Sequence, residues 1–141
     1  MNYREDIKTK AIVDLWYHSN RIIKQIDQSL GSVHGIGFTE YVVMGQLMES
    51  PSKTMRRVDL AQALGRTASG VTRMLLPMEK IGLVEKAENP RDARVSMIAI
   101  TESGQRVYKE ASESFKNKAD HTLRHVDADH IAELSMILNS L

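Results

Sequence analysis

The sequence predicts a mainly α-helical protein with one small β-hairpin, an α+β fold built as a single compact domain. Apolar residues recur at intervals of three and four along most of the chain, which indicates amphipathic helices. Between residues 83 and 101 this spacing gives way to two short β-prone stretches around the turn NPRDAR, residues 89–94. A length of 141 residues with 42% hydrophobic and 26% charged residues suits one globular core.

The N-terminal part of the chain predicts two helices. The first covers residues 5–30 and ends at the glycines at 31, 35 and 37; its apolar stripe comprises Ile7, Ala11, Ile12, Leu15, Trp16, Ile22, Ile23, Ile26 and Leu30. The second helix follows Thr39, which lies in front of its first apolar residues. It stops at Ser50-Pro51, because a residue before proline disfavours helical backbone angles.

Six further elements, four helices and two strands, complete the predicted order. Two short helices fall at about 56–64 and 68–80, and the hairpin strands cover 83–88 and 95–101. Thr101 is predicted to cap a long helix, and a last helix begins at Asp127. That last helix carries one apolar stripe: Ile131, Leu134, Ile137, Leu138 and Leu141.

The segment RRVDLAQALGRTASGVTRML, residues 56–75, has the pattern of a helix-turn-helix. Two helices that cross through a tight turn need a small residue at their contact, a turn residue that tolerates positive φ, and an apolar residue pointing back. Ala61, Gly65 and Val71 meet these three needs. Since a hairpin follows at once, the segment predicts a winged helix-turn-helix, although a plain helical hairpin would share the spacing.

Charge along the chain favours a nucleic-acid partner for this segment. The net charge is only +1, but residues 53–94 carry nine Lys and Arg against five Asp and Glu, while the rest of the chain is acidic. At the start of the second short helix, small and hydroxyl-bearing residues would let the helix approach DNA and donate to phosphates: Thr67, Ser69, Gly70 and Thr72. Arg73 is the candidate for reading a base edge.

Residues 58–104 resemble the MarR family of bacterial transcriptional regulators. The shared motifs are T-R-x-L-x-x-x-E-x-x-G-L-V over residues 72–84, D-x-R in the hairpin and I-T-E-S-G at 100–104. The resemblance implies a homodimer on an inverted repeat of double-stranded DNA. It further implies that Arg94 enters the minor groove and that Asp92 orients it, with Arg91 as a second candidate for the groove or phosphates. The alternative for these charges is a solvated hairpin.

The resemblance and the acidic, amphipathic ends together suggest a division of labour along the chain. Residues 1–36 and 102–141 are expected to form dimerisation helices, and residues 37–101 the winged DNA-binding lobe, within one compact domain. Two such lobes would present their recognition helices about 34–36 Å apart. The alternative is that the terminal helices fold back onto their own lobe.

The sequence does not identify the effector. No cofactor is predicted, but the resemblance implies a small, often phenolic or anionic molecule bound between the dimerisation helices and the lobe. By position the candidate ligand residues are Trp16, His18, Arg21, Tyr41, Met44, Met48 and Tyr108. Core packing explains the same aromatic and methionine residues.

A metal-responsive regulator is a further alternative, since His121 and His125 lie four apart on the predicted fifth helix. They resemble part of the zinc site of one branch of the family, but the second helix offers Glu40-Tyr41 and no histidine, and the chain has no cysteine for a peroxide sensor. No metal is predicted.

Other classes of protein are less well supported. No nucleophile triad or phosphate loop is present, so an enzyme is not expected. A winged helix that binds proteins is the remaining alternative. Without a membrane-spanning run or a secretory signal, a cytoplasmic location is expected.

Overall fold

The computed structural model describes residues 6–141 and confirms the predicted fold class. Six helices and a small antiparallel sheet follow one another in the order α1 (Ile7–His34), α2 (Phe38–Glu49), β1 (Thr54–Arg56), α3 (Arg57–Leu64), α4 (Ala68–Lys80), β2 (Val84–Glu88), β3 (Ser96–Ile100), α5 (Glu102–Thr122) and α6 (Ala128–Asn139). A single 3₁₀ turn over Pro51–Lys53 precedes β1. The predicted start of the first helix at residue 5 lies outside the described residues.

Helix α1 is longer than predicted at its C-terminal end. Asp6 caps its start by accepting a hydrogen bond from the Lys8 backbone N–H at 3.1 Å. The helix runs through Gly31 and ends at Gly35, which adopts the left-handed conformation at φ 70°. Of the three glycines predicted to end the helix, Gly35 ends it, whereas Gly31 lies inside it, because a glycine inside a helix costs only about 0.5–1 kcal/mol.

The start of α2 also differs from the prediction. Gly37, and not Thr39, is the residue that precedes the helix. Two carboxylates bind the free N–H groups there: Glu40 Oε2 accepts from Gly37 at 2.6 Å, and Asp27 Oδ1 of α1 accepts from Phe38 at 2.7 Å. The Asp27 contact comes from a separate helix, so the local sequence around Thr39 could not reveal it.

The sheet has three strands where the sequence predicted two. The short strand β1 pairs antiparallel with β3, with Met55 opposite Ile98, so the strand order is β1-β3-β2 and β3 is central. Strand β2 pairs with the other edge of β3, with Lys86 opposite Ile98. With three residues, β1 is too short to show an alternating pattern, and its partner lies more than forty residues away.

The core lies where α2, α3 and α4 meet the sheet and the middle of α5. Its fully buried side chains include Val43, Met44, Leu47, Leu60, Val71, Leu75, Met78 and Ile98. In contrast, α6 has no buried residue, and the N-terminal half of α1 is largely exposed. Among residues 6–141 no helix has both the length and the apolar character to cross a membrane.

One junction attaches the base of the hairpin to α5. The Thr101 hydroxyl donates to the Gly82 carbonyl at 2.5 Å and accepts from the Gly104 N–H at 3.0 Å, so it caps α5 as predicted. Gly104 lies so close to Leu83, the residue before β2, that a Cβ built on it would stand 2.1 Å from the Leu83 carbonyl oxygen. The close approach explains why a glycine occupies the first turn of this helix.

Candidate nucleic-acid interface

The turn between α3 and α4 has the predicted helix-turn-helix geometry. Gly65 ends α3 in the left-handed conformation, at φ 62° and ψ 36°. Ala61 and Val71 are buried at the contact of the two helices, and Leu60 and Leu75 lie in the core beneath them. The three roles assigned to Ala61, Gly65 and Val71 are thus confirmed.

Thr67 caps α4. Its Oγ1 accepts a hydrogen bond from the Gly70 N–H at 3.1 Å, and the Ser69 hydroxyl lies 3.4 Å away. A Cβ on Gly70 would lie 3.1 Å from the same hydroxyl, which leaves little room for a larger residue. Thr67 therefore stabilises the start of α4, in addition to its predicted role as a DNA contact.

The remaining candidates on α4 face solvent. Ser69, Thr72 and Arg73 are exposed on the side opposite Val71 and Leu75. The Thr72 hydroxyl donates to the Ala68 carbonyl at 3.1 Å, so its oxygen is left to accept a hydrogen bond from outside the helix. The first two turns of α4 thus present two hydroxyl groups and one guanidinium on an exposed face.

Residues 89–95 form the tip of the wing, the hairpin of β2 and β3. Asn89 Oδ1 accepts from the Arg91 N–H at 2.9 Å and so shapes the turn. Asp92 Oδ1 accepts from both the backbone N–H of Arg94 at 3.0 Å and its Nε at 3.1 Å. These hydrogen bonds from Arg94 lower the pKa of the Asp92 carboxyl below its ordinary value. The Arg94 side chain is 91% exposed but is held by Asp92.

Two further arginines in the basic segment form ion pairs that the sequence did not predict. Arg56 forms a two-pronged contact with Asp59 on the exposed side of α3, at 2.7 and 2.9 Å. Arg57 Nη2 lies 2.9 Å from Glu79 Oε1, and both side chains are mostly buried. The Glu79 partner is 22 positions away, beyond the reach of helical spacing rules.

The candidate ligand residues do not surround one cavity. Tyr41 and Tyr108 stack at 5.0 Å, and Tyr41 also contacts Phe115 at 5.0 Å. The Ser112 hydroxyl donates to the Tyr108 carbonyl at 2.7 Å and lies 3.0 Å from the Tyr41 hydroxyl, which donates to it. Burial raises the pKa of the Tyr108 hydroxyl. These tyrosines join α2 to α5, and Met44 is fully buried beside them.

An apolar groove of about 690 Å³ lies between α1, α5 and α6. Its lining includes Leu15, Ile22, Phe115, Leu134 and Leu138. Of the seven candidate ligand residues, His18 lies in this groove, and Trp16 is exposed beside it. The ligand site stays a prediction, while the groove is formed mostly by the terminal helices α1, α5 and α6.

The two histidines considered for a metal do not share a helix face. Helix α5 ends at Thr122, so His121 lies in its last turn and His125 lies in the connection to α6. The prediction of one continuous face was wrong, because Asp127 caps the next helix and the chain must turn before it; Asp127 also binds the His130 N–H at 2.9 Å. Within the described part of the chain, no group of three or more His, Cys, Asp or Glu is placed to hold a metal ion.

The fold and this surface define a winged helix-turn-helix protein. The model of the MarR family matches residues 38–96, which cover α2 through the start of β3. The segment is therefore similar to the family that the sequence motifs predicted. Its boundaries include both α4 and the wing.

Three known proteins illustrate the similarity. The HTH-type transcriptional regulator PrsX of Escherichia coli is 28% identical over 86 residues, 61% of this chain and 51% of PrsX, so the chain spans about half the length of that relative. The crystal structure of AbsC, a MarR family transcriptional regulator from Streptomyces coelicolor, superimposes with a TM-score of 0.82 at 22% identity, over 94% of this chain and 90% of AbsC. Sco3205 from the same organism, solved in complex with DNA, gives a TM-score of 0.84 at 18% identity, over 94% and 85%.

Proposed function

We propose that this protein is a sequence-specific DNA-binding transcriptional regulator that acts as a homodimer. The observation that carries the proposal is that two arginine side chains are exposed on the same winged lobe. Arg73 stands on the exposed face of α4, and Arg94 is held outward by Asp92 at the wing. Guanidinium groups can bond the acceptors of a guanine edge and are attracted to a narrow minor groove.

The family match and a solved relative support this assignment. Residues 38–96 match a family of regulators, and Sco3205, which shares the fold, was crystallised with DNA. In the proposed complex α4 lies in the major groove, where the hydroxyls of Ser69 and Thr72 meet phosphates or bases. Arg91 at the turn meets phosphates beside the wing.

The exposed apolar surface of the terminal helices supports a second copy of the chain as partner. In α1 the exposed apolar side chains are Ile7, Ile12, Leu15, Trp16, Tyr17, Ile23 and Val33, and in α6 and after it they are Leu134, Met136, Ile137, Leu138 and Leu141. Within its own chain α6 has no fully buried residue, and a helix that leaves most of its apolar stripe exposed contributes little to the stability of that chain. We infer that residues 6–36 and 102–141 pair with the same segments of a second subunit around a two-fold axis.

We further propose that the protein represses transcription and responds to a small molecule. The family resemblance implies the small molecule, and a cytoplasmic location stays the expectation drawn from the sequence. The groove between α1, α5 and α6 would be covered or remodelled by the second subunit, so the effector site is defined only in the dimer. For this reason the first experiment concerns DNA.

The experiment is selection of bound duplexes from a random double-stranded pool with the purified chain at moderate salt. We expect an enriched inverted repeat whose half-sites are centred about one helical turn apart, since a two-fold dimer presents two copies of α4. Direct binding of the enriched duplex and of a scrambled duplex of equal length then gives the specificity ratio. Enrichment of no sequence would favour the alternative, a winged helix that binds proteins.

A further inference from the structure

The ion pair between Arg57 and Glu79 joins the two helices of the helix-turn-helix at their far ends. Arg57 is the first residue of α3, and Glu79 lies one residue before the end of α4. Their charged atoms are 2.9 Å apart, with the side chains 17% and 18% exposed. The two helices also meet at the Gly65 turn, so the pair fixes their crossing at a second point.

Each of these charges is poorly placed with respect to its own helix. The N-terminal end of a helix carries a partial positive charge and disfavours Arg57, and the C-terminal end carries a partial negative charge and disfavours Glu79. Because both groups are also shielded from water, neither is compensated by solvent as an exposed side chain would be. The ion pair between α3 and α4 compensates both unfavourably placed charges. The two charges therefore serve the contact between the helices and not the stability of either helix alone.

The position of Glu79 connects this pair to both proposed DNA readers. Arg73 precedes Glu79 by less than two helical turns, and β2, which leads to the wing, begins at Val84. Arg57 and Glu79 also line a cleft with Thr72 of α4, Lys86 of β2 and Ser96 of β3. A change in the angle of α4 would therefore change the spacing between Arg73 and the wing.

We propose that Arg57 and Glu79 are positioning residues that hold α4 and the wing at the spacing needed to read adjacent grooves of DNA. The inference rests on the proposed DNA binding and assigns no direct contact with DNA to either residue. It predicts that breaking the pair lowers affinity for the selected duplex while affinity for scrambled DNA is nearly unchanged.

Glu79→Gln is the most informative single variant. It removes a negative charge from a DNA-binding lobe, so long-range electrostatics alone would strengthen binding to any duplex. A positioning role requires the opposite for the selected duplex: a Kd about five- to twentyfold weaker, which lies within the coupling energies of residues in one ion pair. Arg57→Gln is expected to weaken the selected complex to a similar extent.

The exchange Arg57→Glu with Glu79→Arg separates positioning from direct contact. It restores an ion pair at the same place and puts each charge at the favourable end of its helix. We expect affinity for the selected duplex to return to within about threefold of the wild type, since the coupled pair is restored. The control Lys116→Gln removes one exposed charge from α5, outside the basic segment. It should change the affinity for neither the selected nor the scrambled duplex.

Binding is measured by fluorescence anisotropy at several salt concentrations, below the melting temperature of each variant. Unchanged salt slopes together with rescue by the exchange support the proposal, because loss of a phosphate contact would lower the slope by about one unit. If a Gln variant does not fold, Arg57→Lys takes its place. Arg57→Lys should lower the affinity for the selected duplex less than the loss expected for a Gln variant, and the exchange should bind that duplex more tightly than Arg57→Lys does.

Three outcomes would overturn the proposal. Glu79→Gln could bind the selected duplex as tightly as the wild type, or the exchange could restore the melting temperature without restoring affinity. In the second case, with a lowered salt slope, Arg57 would itself contact DNA. A wild-type chain that binds no duplex would instead refute the proposed function, and the positioning role with it.

Discussion

At the scale of single residues, Arg94 carries the most specific prediction for DNA binding. Its side chain is exposed, and Asp92 holds both its backbone N–H and its Nε. We expect Arg94→Ala to cost about 1–3 kcal/mol of binding free energy on the selected duplex, with folding unchanged, because an exposed guanidinium contributes little to stability. The measurement is direct binding with a melting curve for each variant.

The control for Arg94 is Arg124→Ala, which removes a guanidinium from the connection between α5 and α6, outside the basic segment. It should leave DNA affinity near the wild-type value. Equal losses for the two variants would mean that Arg94 contributes general charge and no groove contact.

Gly104 is the residue with the clearest stability prediction. A methyl group there would overlap the Leu83 carbonyl oxygen, and that oxygen belongs to the backbone and cannot rotate away. We expect Gly104→Ala to lower the free energy of unfolding by about 2–3 kcal/mol, measured by urea denaturation.

Gly31→Ala is the matched control, since Gly31 also lies inside a helix but its nearest neighbour would be 3.9 Å from the new Cβ. Here the substitution should be neutral or stabilising by up to about 1 kcal/mol. If both variants were equally stable, the close approach of α5 to the wing base would be incorrect.

At the scale of elements, the start of α4 depends on the Thr67 cap. Thr67→Ala removes the acceptor for the Gly70 N–H and should cost about 1 kcal/mol of unfolding free energy, because that N–H has no partner within the helix. Thr67→Ser keeps the hydroxyl and should behave like the wild type in urea denaturation. Wild-type stability of Thr67→Ala would show that solvent replaces the cap without cost.

At the scale of the whole molecule, the terminal helices carry the prediction of a dimer. Ile137 of α6 is 58% exposed within its own chain, so Ile137→Glu should leave the isolated chain folded. In a two-fold interface it would bury an unpaired carboxylate from each copy, which costs several kcal/mol. We expect light scattering to show the mass of two chains for the wild type and of one chain for Ile137→Glu.

Val58→Glu is the control for the dimer, because Val58 of α3 is 59% exposed, nearly the same as Ile137, but lies outside both terminal segments. It should keep the mass of two chains. A dimer that survives Ile137→Glu would place the interface elsewhere.

The sequence by itself was sufficient for the features that short stretches determine. The order of the helices, the Gly65 turn, the caps at Thr101 and Asp127 and the wing all depend on residues within a few positions of one another. Helical periodicity and capping act over the same short range, so these elements could be predicted. The proposed DNA readers Arg73 and Arg94 were found in the same way, from local charge and family motifs.

The tertiary structure decided the features that join distant parts of the chain. Strand β1 exists because β3 offers it an edge, and Asp27 helps to start α2 from another helix. The stacking of Tyr41 on Tyr108 and the pairing of Arg57 with Glu79 likewise arise when separate helices pack together. Hydrogen bonds and ion pairs of this kind depend on distances in space, and those distances are set by packing of the whole core and not by local sequence.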